Sequence, residues 1–307
     1  MITVVGSLNM DLFTETPRLP APGETVLGRN FRRAPGGKGA NQAVAVARMG
    51  SACAMVGAVG DDAFGEEMLA NLLVAGVDTS AVARRVGVPS GVAMIAVDAN
   101  GQNQIVVVSG ANETLSPEDI ARHATLFRCS KAVVVQLETP LAAIAAALRL
   151  GREAGALTVL NPAPCLELND ELLRYCDWIV PNGIEAAQLS GVTVRSRADA
   201  AMASKKLRGR SGGANVLITL GADGAWLDTD SFAGEVPGFK VEAVDTVGAG
   251  DTFIGAFVTR LSEGAEAREA ARFGCAAAAL AVTRRGAQAG IPLRAEVDAW
   301  LRSQGGS

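Results

Sequence analysis

Ala132-Val133-Val134-Val135, then an alanine-rich run from Pro140 to Leu150, then Leu157-Thr158-Val159-Leu160: the order within this stretch decides the fold. The first piece is apolar at every position and the last at three of four, without a strict alternation, so both read as strands buried on both faces. The run between them reads as a helix. Strand, helix, strand is the repeating unit of a parallel sheet. The same texture extends in both directions. Strands are predicted over 2–5, which stops at Gly6-Ser7, over 53–59, over 178–180 before a Pro-Asn turn, and over 216–220 before Gly221. Helices are predicted over 39–49, 64–75, 251–261 and 268–282. The expected class is α/β, with a central, mostly parallel sheet covered by helices on both faces.

Two segments break the alternation. Between 11 and 35, Thr16-Pro17, Leu19-Pro20, Pro22-Gly23 and Pro35-Gly36 punctuate short extended pieces such as Thr25-Val26-Leu27. Between 87 and 109, apolar runs over 92–97 and 104–108 flank Asp98-Ala99-Asn100-Gly101, a hairpin turn in which Asn-Gly supplies positive φ. The two patches can meet in one small antiparallel sheet. The chain then divides into a core of 1–10, 36–86 and 110–307 and a β lid of 11–35 and 87–109.

Composition narrows the function. The chain has 307 residues, only 4% of them aromatic, so its core is packed with Ala, Val, Leu and Ile. Net charge is −4 without long runs of either sign, which speaks against nucleic-acid and membrane partners. Lys205, Lys206, Arg208 and Arg210 read as a solvated helix end. The apolar run 275–282 is far shorter than the roughly 20 residues that span a bilayer. Five cysteines without a CxxC pair and a single histidine, His123, argue against zinc and for reduced thiols in a cytoplasmic protein. Met1 to Val5 already reads as strand, so no signal peptide is expected. His123 is expected on the surface of a helix, and Cys165 as a structural thiol.

Ligands of parallel α/β sheets bind beyond the carboxyl ends of the strands. Asn9, Asp11, Glu138, Asn161, Asn182, Glu185 and Gly221 all fall there. Two glycine-rich segments stand out. Pro35-Gly36-Gly37-Lys38-Gly39-Ala40-Asn41-Gln42 precedes a helix and matches neither the Walker A nor the dinucleotide spacing. A flexible turn would explain its glycines but not a lysine set among them. Asp245-Thr246-Val247-Gly248-Ala249-Gly250-Asp251-Thr252-Phe253 opens a second helix. Unpaired N–H groups at such a start can receive the charge of a phosphoryl group in transit, and Asp251 is placed to accept the proton of an attacking hydroxyl. Asp251 could simply cap its helix. That reading leaves Asp245 and the Gly-Ala-Gly turn unexplained. In a loose phosphoryl-transfer transition state an ordinary carboxylate in the right position suffices.

These residues carry a resemblance. From Gly6-Ser7-Leu8-Asn9-Met10-Asp11 through Val282-Thr283-Arg284-Arg285-Gly286-Ala287, the chain resembles the carbohydrate and nucleoside kinase (PfkB-type) family, whose members include ribokinases, adenosine kinases and fructokinases. The resemblance implies a Rossmann-like core with a β lid. It also implies ATP-dependent phosphorylation of a sugar's primary hydroxyl, with the 5-hydroxyl of ribose foremost. Another sugar such as deoxyribose or a ketohexose, a nucleoside, or a non-catalytic sugar- or nucleotide-binding role are the alternatives. By the same resemblance Asn9, Asp11, Gly37, Lys38, Asn41 and Glu138 line the sugar pocket, and Asp251 is the base. Gly248, Ala249 and Gly250 form the anion hole. Asn182 reaches the phosphates, Glu185 reaches magnesium through water, and Thr219 and Gly221 border the nucleotide. A potassium-type ion is implied at Asp245 and at carbonyls of Val247, Ala281, Arg284, Gly286 and Gly290. Gly290 stands where a serine is expected, which removes one side-chain ligand. The lid is implied to pair with that of a second subunit in a homodimer.

Overall fold

The computed structural model describes residues 1–304. Its main sheet contains β1 (Ile2–Val5), β4 (Cys53–Gly60), β5 (Val77–Arg85), β8 (Ala132–Val135), β9 (Leu157–Leu160), β10 (Trp178–Ile179), β11 (Asn215–Thr219), β12 (Gly224–Asp228) and β13 (Ala233–Pro237). The order across it is β13-β12-β11-β10-β9-β8-β1-β4-β5. All neighbours from β11 to β5 pair in parallel, and β12 and β13 add an antiparallel edge. The nearly continuous apolarity of β1 and β8 has a direct cause, with Thr3 the one polar residue among their eight. Ile2, Val4 and Val134 feed one core, while Val5, Val133 and Val135 feed the other. Successive side chains of a strand point to opposite faces, so a sheet covered twice needs apolar residues throughout.

On one face lie the helices Lys38–Arg48, Ala249–Ser262 and Ala267–Ala281, with Ala43, Val44, Phe253, Phe257 and Ala277 turned inward. On the other lie Leu141–Glu153 and Arg197–Ser211, through Ile144, Ala147, Ala203 and Leu207. Small alanines let helices approach closely, and the few aromatics fill the larger gaps. Phe257 is fully buried and meets Trp178 edge-on, with ring centroids 5.0 Å apart. Burying one such ring contributes roughly 2–3 kcal/mol.

The two interrupting segments form a second sheet, in the order β3-β2-β6-β7. Its strands are β2 (Asn9–Glu15), β3 (Arg29–Gly36), β6 (Gly91–Val97) and β7 (Asn103–Val108). The hairpin turn falls where the sequence places it: Gly101 has φ 78°, and Asp98 Oδ1 accepts from the N–H groups of Asn100 and Gln102. The sheet is not purely antiparallel, however. β2 and β6 run parallel, with Asn9 opposite Gly91. Both hairpins leave the same end of the main sheet, so their first strands travel in the same direction. Thr25-Val26-Leu27, expected as a strand, lies outside every strand, and Leu27 is 87% exposed. Among the described residues this segment makes no ladder pairing with a strand. His123 sits half-buried at a break between the short helices Pro117–Arg122 and Ala124–Arg128, not within one helix.

Candidate active site

The helix Lys38–Arg48 begins directly behind Gly37, whose φ is 86°. A β carbon at 37 would stand 2.7 Å from the Asn9 nitrogen and 2.9 Å from the Ser7 carbonyl, so only glycine fits. The first N–H groups of this helix are satisfied from the end of β1 and from beyond β8. Lys38 N donates to Glu138 Oε2 at 3.0 Å, and Ala40 N to the Ser7 carbonyl at 2.9 Å. The Ser7 hydroxyl also donates to Glu138. Beside them Asn9 is buried, its Oδ1 accepting from Asn112 Nδ2 at 2.8 Å. Asn112 fixes the Leu8 backbone as well, through both N–H and carbonyl. Asn9 and Asp11 lie two residues apart on β2 and therefore share a face of the second sheet. The Asp11 carboxylate occupies the space that a side chain at 36 would need. Asn9, Asn112 and Glu138 line a cavity of about 360 Å³.

The other glycine segment opens onto the same place. Gly248, at φ 76° and packed against Ala287, caps the helix Ala249–Ser262. Among the described residues, no acceptor meets the N–H groups of Gly248, Gly250 and Asp251. Those N–H groups are free to bind an anion. Asp251, in the first turn, is buried. Its Oδ2 accepts from Asn41 Nδ2 and its Oδ1 from Gln42 Nε2, each at 2.9 Å. Two segments more than two hundred positions apart in sequence thus meet at one carboxylate.

The Lys38 ammonium feels the charges of four carboxylates, Asp251, Glu138, Glu185 and Asp11. Burial works against its charge, but these neighbours outweigh burial and hold the ammonium above its ordinary pKa. Asp11 is pushed up to about 7, first by burial, then by the charges of Glu138 and Asp251. Burial also raises Asp251, against the pull of Lys38 and of the Asn41 and Gln42 hydrogen bonds. Glu185 is raised by burial, with Asn182 N–H and Lys38 opposing. The sequence requires only an ordinary carboxylate at 251. The fold supplies one whose proton affinity is increased, which favours a general base.

Asn182 and Thr219 are bridged backbone to backbone, and with Gly221 they line a cavity of about 730 Å³. Asn182 and Glu185 form a reciprocal cap on the helix Gly183–Ser190. Two of Glu185's acceptor positions are used in that cap. A larger cavity, about 1080 Å³, runs past Cys165, Tyr175 and Arg210 and holds none of the sequence-predicted site residues. Convergent carboxylates, a lysine and unpaired helix N–H groups carry more chemical information than size, and they lie elsewhere. Among the described residues no cluster of three His, Cys, Asp or Glu side chains converges as a metal centre.

Behind Gly248, Asp245 accepts from Gly286 N at 2.8 Å through Oδ2 and from Val247 N at 3.0 Å through Oδ1. The carbonyls of Gly286, Ala281 and Arg284 crowd the point where a β carbon on Gly290 would stand, at 2.7, 3.2 and 3.5 Å. Carbonyl oxygens are the ligand type that a hard cation takes.

Sequence reasoning passed over several residues. Gln42, Gln136, Gln288 and Asn112 are buried amides bonded into the site. Gln42 lies inside the quoted glycine segment, and a glutamine within an otherwise apolar helix face was the available signal. Asn112 sits in no motif, and only tertiary structure brings it to Asn9.

The model of the pfkB family of carbohydrate kinases matches residues 1–294, and the chain belongs to that family. Among its relatives, the ribokinase of Haemophilus influenzae is 42% identical over 295 residues, covering 96% of each chain. The deoxyribokinase of Salmonella typhi is 40% identical over 293 residues, covering 95% of each. The solved structure of Arabidopsis thaliana ribokinase complexed with ribose and ATP matches with a TM-score of 0.91, at 31% identity and over 98% of each chain.

Proposed function

We propose that this chain transfers the γ-phosphoryl group of ATP to the 5-hydroxyl of D-ribose, giving ribose 5-phosphate and ADP. The observation that carries the reading is the meeting of Asn41 and Asp251 at the start of a helix where the N–H groups of Gly248, Gly250 and Asp251 are unpaired. In this reading Asn9, Asp11, Gly37, Lys38, Asn41 and Glu138 surround the sugar. Asp251 takes the proton as the hydroxyl attacks, and the unpaired N–H groups at Gly248 and Gly250 receive the charge on the transferred group, while Ala249 between them donates its own N–H to the Thr246 carbonyl. Asn182, Thr219 and Gly221 border the nucleotide. Magnesium bound to ATP would neutralise phosphate charge, and Glu185 has the remaining lone pairs to hold one of its waters. A potassium-type ion would be held by Asp245 and by carbonyls of Val247, Ala281, Arg284, Gly286 and Gly290, oxygen ligands of the kind a hard cation takes.

The second sheet acts as a lid over the sugar, because the face of β2 that carries Asn9 and Asp11 turns toward it. Excluding water matters here, since water competes for the γ-phosphate. The exposed apolar strand β7 supports a homodimer through this sheet. Five free cysteines and the use of ATP fit work in the cytoplasm.

Relatives of nearly equal identity carry the names ribokinase and deoxyribokinase, so 2-deoxyribose is the second reading. A coupled ADP-release assay with ribose, 2-deoxyribose, fructose, tagatose and adenosine separates them. Highest kcat/KM on ribose is expected. Preference for 2-deoxyribose would overturn the choice of sugar, and no turnover of any acceptor would overturn the kinase itself.

A further inference from the structure

Asp251 is gripped by side-chain amides that are themselves gripped. Gln42, which donates to Asp251 Oδ1, also donates to Asn161 Oδ1 at 3.0 Å and accepts from Gln136 Nε2 at 2.6 Å. Asn41, which donates to Oδ2, accepts from Gln288 Nε2 at 3.0 Å. Gln288 in turn accepts from Asn71 Nδ2. Asn41, Gln42, Gln136, Asn161 and Gln288 are all buried, and none of them titrates. Burying an amide is costly unless its partners are in place, and every bond made here narrows the arrangements open to the network, although Gln136 Oε1 is buried without a partner among the described residues. An apolar residue at 42 would leave Gln136 Nε2 without this acceptor and Asn161 Oδ1 and Asp251 Oδ1 without this donor. An amide there serves what it touches.

We propose that Gln42 and Gln288 are positioning residues for phosphoryl transfer, fixing the Asp251 carboxylate directly and through Asn41 so that its remaining lone pairs face the sugar hydroxyl. This rests on the reading of Asp251 as the base. Gln288 also belongs to the turn between Ala281 and Gly290, so the order of that oxygen-lined turn and the orientation of the base share one side chain.

The charged groups facing Asp251 are Lys38 from its own helix start, Glu138 from beyond β8, Asp11 from β2 and Glu185 from the helix Gly183–Ser190. Removing the Gln42 donor leaves these in place and takes away a bond that lowers the proton affinity of Asp251. The test is steady-state kinetics of Gln42→Met and Gln288→Ala against pH at saturating sugar, where substrate engages Asp11. For Gln42→Met, kcat should fall roughly 10- to 100-fold, as loss of one hydrogen bond to a charged group predicts. The sugar KM should change far less than kcat, and the acid limb of the kcat profile should move to higher pH. Gln288→Ala should lower kcat in the same sense but less, and it serves alone if Gln42→Met does not fold. A kcat within about twofold of the parent in the folded variants, or a reduced kcat with an unmoved acid limb, overturns the proposal. Asp251→Ala run alongside separates the two failures. If it is inactive while the glutamine variants are normal, only the positioning role falls; if it is active, the base assignment falls with it.

Discussion

Asp11 places a carboxyl group where water is nearly excluded and where Glu138 and Asp251 add negative charge. Its pKa of about 7, against an ordinary 3.8, means that the folded chain binds this proton more tightly than the unfolded one. The group's contribution to stability is therefore full below the unfolded value and is lost as pH rises through about 7. Strain of this kind is common where a site is arranged for a ligand, because sugar hydroxyls can supply the missing donors to the carboxylate. Asp11→Asn removes the titration. Its thermal midpoint without ligand should exceed the parent's at pH 8, and the difference should shrink toward pH 4, while kcat/KM for the sugar falls. Parallel melting curves at every pH would contradict the electrostatic reading of Asp11.

Among the elements, β7 carries the clearest unmet demand. Ile105, Val106, Val107 and Val108 are each about half exposed on an edge strand. Ile105 and Val107 pair across the ladder with Ile95 and Ala93, and so share a face with Phe13. An apolar edge left open invites association, and a second copy of the same sheet would cover it. Sedimentation should find a dimer that Ile105→Lys weakens. A monomeric parent would contradict pairing through this sheet. The elements also differ in how much of them the sequence reveals. β8 and β9 were legible because burial on both faces makes all but one of their residues, Thr158, apolar. β5 was not, since Asp78, Ser80 and Arg84 interrupt an edge strand that only one neighbour supports. The parallel junction of β2 with β6 could not be read at all, because nothing local to either strand encodes the direction of a partner about eighty residues away.

At the scale of the whole molecule, function depends on the sheet order. Placing β1 between β8 and β4 brings Gly6 to Asn9, Glu138 and the helix start at Lys38 to one end, and the helix Ala249–Ser262 packs against Lys38–Arg48 on the same face. The two glycine segments were visible in the sequence because close backbone approach restricts residue choice. The amides between them were not, because a glutamine's burial is decided by parts of the chain far from it. The central claim is that Asp251, seated where those segments meet, activates the sugar hydroxyl. The most direct measurement is the turnover of Asp251→Ala in an ADP-release assay with ribose, with circular dichroism as the check on folding. The account predicts a loss of at least ~100-fold in kcat with an unchanged spectrum. Near-parental turnover in the folded variant would contradict it.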